Sequence, residues 1–183
     1  MTYSRFQWIV STFVLLFFAL CQSAVGQTPC QLFTKADAEA LFQRPVNDPS
    51  SRTTAMPNGN LCRYTFSHAG GTHGVTVRIS TSQEIAEEQF FESAQDIMDR
   101  QKQTREKHDY ASKGFKVLSN LGDDAFWNGT DLWLLNGDIL AIITVNSVLE
   151  GSFPDMDTMN KAVEDKNLAL SLEVAETILS FLQ

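Results

Sequence analysis

Apolar residues recur along this chain with two different periods, and the switches between them mark out its elements. Thr34-Lys35-Ala36-Asp37 has the form of a capping box, with Thr34 as N-cap and Asp37 reaching back. It predicts a short helix over 35–43, with Ala36, Ala40 and Leu41 facing inward, ending before Pro45. Residues 47–52 read as loop. A strand is expected over 53–56, a turn at Asn58-Gly59, and strands over 61–66 and 74–80 joined through Ala69-Gly70-Gly71. Thr81-Ser82-Gln83-Glu84 repeats the capping box and opens a long helix, expected over 82–107. Ala86, Phe90, Ala94, Ile97 and Met98 keep helical spacing along it. Its last turns lose that stripe and carry Arg100, Lys102, Arg105 and Lys107, cations that suit the negative end of a helix dipole.

A second run of period-two segments follows, over 114–119, 125–128, 131–135 and 138–146. Leu121-Gly122-Asp123-Asp124 turns the chain after the first. Asn128-Gly129 and Asn136-Gly137 join the others and favour type I′ turns. The last of these strands is apolar on both faces, as in a strand covered on both sides or lying mid-sheet. Residues 147–157 read as loop, with Asp157 capping a final helix over 158–182 that has room to bend near Asn167. Leu168, Leu172, Ala175, Leu179 and Leu182 form its inward stripe. The order helix–meander–helix–meander–helix predicts an α+β fold, with helices packed against one mostly antiparallel sheet. It has the look of two helix-plus-sheet units, without a sequence repeat to tie them together.

The first 26 residues change the picture of where this domain works. Arg5 precedes an apolar run from Trp8 to Leu20, and small residues Ala24 and Gly26 close the segment. That is the layout of a secretory signal peptide, with cleavage expected after Gly26. The run is about 13 residues, whereas a spanning helix needs about 20, so no stable membrane span is expected after cleavage. Cys21 follows Leu20, where a lipobox wants Gly, Ala or Ser, which disfavours lipidation. Residues 27–183 then form a single domain, exported to the periplasm or secreted. Without Arg5, 13 of the 14 basic residues face all 22 acidic ones. Such a domain repels nucleic acid and anionic membrane surfaces.

Exported chains meet oxidising conditions, and beyond the leader only Cys30 and Cys62 remain. They read as one structural disulfide, since a redox pair would have Cys-x-x-Cys spacing. Three short motifs resemble a bacterial envelope family. They are Cys30-Gln31-Leu32-Phe33-Thr34 with its helix, Cys62-Arg63-Tyr64, and Leu121-Gly122-Asp123-Asp124-Ala125-Phe126-Trp127 with the Leu-rich hairpin after it. The family comprises small secreted domains and lipoproteins of unknown function, best represented in actinobacteria, and is similar in layout to the extracytoplasmic sensor domain of a membrane Ser/Thr kinase. The resemblance implies pairing of Cys30 with Cys62 and a role in binding a ligand or partner. It brings no catalytic residues. Many members are lipid-anchored, and the missing lipobox is a departure.

No hydrolase, metalloprotease or phosphate-loop motif occurs. His68 and His73 flank a turn without the spacing of metal ligands, and His108 ends a charged helix. Asp123 and Asp124 sit where turn geometry favours Asp. Asp155-x-Asp157 lacks the glycine and distal glutamate of a calcium loop. No metal or cofactor is expected. Asn128-Gly129-Thr130 matches a glycosylation sequon and equally a hairpin turn, which is the preferred reading. The aromatics are the more informative feature. Phe126, Trp127 and Trp133 crowd two short strands, with Phe126 and Trp127 pointing to opposite faces. Core packing accounts for most such residues. The sharper expectation is an aromatic wall of a cleft or partner surface, with Arg78 as polar anchor. Together these features favour an exported, non-catalytic binding domain for a small apolar or amphipathic ligand or another envelope protein. The alternatives are a hydrolase assembling His68 or His73 with Asp123 or Asp124, and a purely structural role.

Overall fold

The computed structural model describes residues 28–108 and 113–182. The expected leader, its cleavage site and Cys21 lie outside them. Thr28 caps a four-residue helix α1 (Pro29–Leu32), and Thr34 caps α2 (Lys35–Phe42), its hydroxyl accepting from the Asp37 amide at 3.3 Å. The inward face of α2 is Ala38, Leu41 and Phe42; Ala36 and Ala40, expected inside, are exposed. Alanine pays little for either environment, so the bulkier Leu41 and Phe42 set the rotation of the helix.

Three strands follow: β1 (Ser50–Thr54), β2 (Gly59–His68) and β3 (Gly71–Thr81). β1 lies three residues earlier than its pattern suggests, and its turn occupies 55–58, with Gly59 already in β2. A Cβ at Gly59 would run into the Ile79 carbonyl and the Ser80 hydroxyl, so the residue serves a close approach between strands rather than a turn. The β2–β3 hairpin turns on Ala69 and Gly70, both at positive φ.

The helix expected over 82–107 is broken in two. α3 (Ser82–Glu87) starts from the Thr81–Glu84 capping box, and α4 (Ala94–Lys107) starts afresh from Ser93. Then come β4 (Phe115–Leu118), β5 (Asp124–Asn128), β6 (Asp131–Asn136) and β7 (Ile139–Asn146), followed by α5 (Met156–Phe181). α5 runs without interruption past Asn167, and its cap is Asp155, not Asp157. The Asp155 carboxylate accepts from the Thr158 amide at 2.7 Å. In the β5–β6 and β6–β7 joints only Gly129 and Gly137 take positive φ, so neither is a type I′ turn, which needs two such residues. At the first joint the Asn128 side chain does the work, accepting from the amides of Thr130 and Asp131.

All seven strands form one antiparallel sheet in the order β1-β2-β3-β7-β6-β5-β4. β7, the strand apolar on both faces, lies at its centre and is covered on both sides. On one face Val77, Ile143, Leu132 and Trp127 pack with α1, α2 and α5. On the other, Ile142, Leu140, Leu135 and Phe126 pack with α3 and α4. The fold is therefore α+β, with a helical layer on each face. The helices that precede the two meanders lie on opposite faces. A rotation that exchanges the two sets of strands leaves those helices unmatched, so the layout is not a simple doubling of one unit. Cys30 and Cys62 form the disulfide, which fastens α1 to β2. Among the described residues no helix is long and apolar enough to cross a membrane.

Candidate functional site

The aromatic pair that stood out in the sequence is interior. Phe126 and Trp127 point to opposite faces as expected, yet both are 0% exposed. Trp127 lies under α5, and its indole N–H donates to Glu164 Oε1 at 3.3 Å. Phe126 lies in the other core, stacked on Trp133 with ring centroids 5.6 Å apart. Trp133 alone of the three is half-buried. Arg78 reaches the same face, since it pairs with Ile142, which pairs with Trp133. The fold thus brings Arg78, Trp133 and Phe126 to one face and sends Trp127 to the other. Phe126 and Trp127 are core residues, and Trp133 and Arg78 keep partial exposure on the Phe126 face.

The His and Asp candidates are kept apart. β2 and β3 carry His68 and His73 at the hairpin end of the sheet, while Asp123 and Asp124 sit at the opposite end. Asp124 is four strands from His68, about 19 Å of sheet width. Both acids have local duties. Asp123 accepts from the Gly137 amide at 2.6 Å, and Asp124 pairs with Lys102 at 2.6 Å. Among the described residues no three His, Cys, Asp or Glu side chains are grouped to hold a metal ion.

A cleft of about 370 Å³ opens instead at the hairpin end of the sheet, on the α1–α2–α5 face. The C-terminal turn of α2 gives it Leu41 and Phe42, β2 gives Phe66, and α5 gives Leu170, so its floor is apolar. Its rim is polar: Gln43 and Arg44 after α2, Ser147 and Glu150 after β7, and Lys166 on α5. α2 ends at Gln43 in the left-handed conformation, and this sharp stop throws Arg44 back across the sheet. The Arg44 guanidinium covers the Phe66 ring, with Cζ 4.8 Å from its centroid. Its Nη1 lies 3.2 Å from His68 Nδ1. Arginine stays protonated, so it is the donor and His68 Nδ1 the acceptor. Phe66 also stacks on His73 at 5.6 Å and meets Phe42 at a tilt, with centroids 5.0 Å apart. The 147–150 segment is pinned to α5 from two sides. Ser147 donates through both its amide and its hydroxyl to Asn167 Oδ1, and Lys166 donates to the Val148 carbonyl at 2.7 Å.

Sequence reasoning missed this cleft. Phe66 and Leu170 fall within the expected 61–66 strand and 158–182 helix, and Arg44, Glu150 and Lys166 belong to no motif. The one available signal was the Gln43-Arg44-Pro45 helix stop, which marks a bend but not what faces it. No family model, curated protein or solved structure matches this chain.

Proposed function

We propose that the protein is an exported, non-catalytic binding domain, and that the cleft between α2, β2 and α5 takes a small amphipathic ligand. The observation that carries this is the cleft's lining, in which Leu41, Phe42, Phe66 and Leu170 stand beside charged and polar groups that give it most of its exposed surface. Apolar contact area joined to convergent polar groups is what an amphipathic ligand needs. Export is supported by the Cys30–Cys62 disulfide, a bond that persists in oxidising compartments. It accords with the leader-like first 26 residues. A role among envelope proteins, as in the family that the cysteine and Leu-Gly-Asp-Asp motifs resemble, agrees with both.

Native mass spectrometry of the oxidised protein, purified from its own host, tests the proposal. A small bound mass is expected on the native chain and is absent from Leu170→Trp, which fills the floor. A bound mass that survives Leu170→Trp, or no bound mass on the native chain, counts against the cleft.

A further inference from the structure

This inference rests on the cleft as the binding site. We infer that its ligand is an amphipathic monocarboxylate, a single carboxylate on a short apolar body. Charge comes first. Arg44 and Lys166 bring two positive charges to the rim and Glu150 one negative charge, so the site carries a net charge of one positive. One carboxylate neutralises it, whereas a dianion leaves an excess inside a chain whose net charge is already −8.

Neither cation has an acidic partner among the described residues. Lys35, Arg100, Lys102, Lys116 and Lys161 each reach an Asp or Glu. Among the described residues no carboxylate lies within ion-pair distance of Arg44 or Lys166, although acids outnumber bases in the chain. Arg44 is held by the Phe66 ring on its face and by His68 at Nη1. Its remaining N–H groups form a planar fork, the shape that meets a carboxylate through two parallel bonds. Lys166 spends one proton on the Val148 carbonyl and keeps two. A volume of about 370 Å³ lies near the lower limit for ligand sites, which suits a short chain or one ring rather than a long lipid tail.

The test is a titration of the oxidised protein, followed by NMR shifts, with octanoate, 3-phenylpropionate, octyl phosphate, octanol and octylamine. Both carboxylates are expected to bind, with octanol and octylamine about tenfold weaker or more, and octyl phosphate weaker than octanoate. Tighter octanoate marks an alkyl acid as the source, and tighter 3-phenylpropionate an aromatic acid; either supports the inference. Arg44→Gln is expected to weaken carboxylate binding about tenfold. Lys166→Gln is expected to weaken it as well, while the Ser147–Asn167 bonds still hold the 147–150 segment to α5. Octanol or octylamine binding as well as octanoate, or octyl phosphate binding better, overturns the carboxylate assignment. The cleft itself survives that result if Leu170→Trp abolishes the binding. No binding by any of the five overturns both.

Discussion

Tyr64 joins chain-local and long-range structure in one side chain. Its ring is buried against α1 and α2, and its hydroxyl donates to the Phe33 carbonyl at 2.9 Å, just ahead of the α2 cap. Burial raises the phenol above its usual value near 10, and the negative charge of Asp37 adds to the effect. The sign of the linkage follows. Below pH 10 the phenol is protonated in both states, and the contribution is complete. Above it the unfolded chain releases the proton first, so stability falls as pH rises toward the folded-state value. Urea unfolding between pH 8 and 11.5 is expected to show this loss. Tyr64→Phe removes that part of the slope and lowers stability at pH 8 by about 1 kcal/mol, because the Phe33 carbonyl loses its partner. The capping residues Thr34 and Thr81 were legible at this scale, since a cap acts within three residues. Asp155 was not, because two aspartates at 155 and 157 offer the same signal and only the backbone selects between them.

At the scale of elements, the break between α3 and α4 is the clearest departure from periodicity. Phe90 fits the helical stripe, yet it is 65% exposed. Gln89 takes a positive φ, Ser93 starts α4 by accepting from the Asp96 amide, and the Ala94 amide donates to Ser82 Oγ at 3.1 Å. The break lets Ile85, Phe91 and Ile97 meet the same sheet face, with Phe91 also under the Arg100 guanidinium at 5.3 Å. Two substitutions separate pattern from packing. Phe90→Ser is expected to change stability by no more than about 0.5 kcal/mol. Phe126→Ala, in the core beneath α4, is expected to cost about 3–5 kcal/mol. Chemical denaturation of both variants measures the difference, and equal losses would place Phe90 inside. In α5 the offset is smaller. The most buried positions are Ser171, Val174, Ala175 and Ile178, and the leucines at 168, 172, 179 and 182 flank them. Leucine periodicity located the face but not its centre, which packing against the sheet sets.

For the molecule as a whole, the disulfide closes a loop with a sequence separation of 32 residues and fixes α1, the entry to the domain, onto β2. Restricting the unfolded chain in this way stabilises by about 3–4 kcal/mol. Thermal melts with and without reductant, and of the Cys30→Ser/Cys62→Ser double variant, are expected to show that loss. An unchanged melt would mean that packing alone holds α1. The α+β class, the two meanders and the central position of β7 were legible in the chain. Period-two segments, glycine turns and a strand apolar on both faces are local facts that survive folding. So was the cysteine pair, because only Cys30 and Cys62 lie beyond the first 26 residues. The break in the long helix, the burial of both Phe126 and Trp127, and the separation of His68 from Asp124 depended on long-range packing. The cleft depended on it most. Its walls come from segments between position 41 and position 170, and nothing in any one of them refers to the others. Local sequence sets which residues prefer helix, strand or turn, because those preferences act over a few residues. Which side chains share a cavity is decided by long-range packing, and only the assembled sheet with α2 and α5 across one end brings Arg44 and Lys166 to the same cleft.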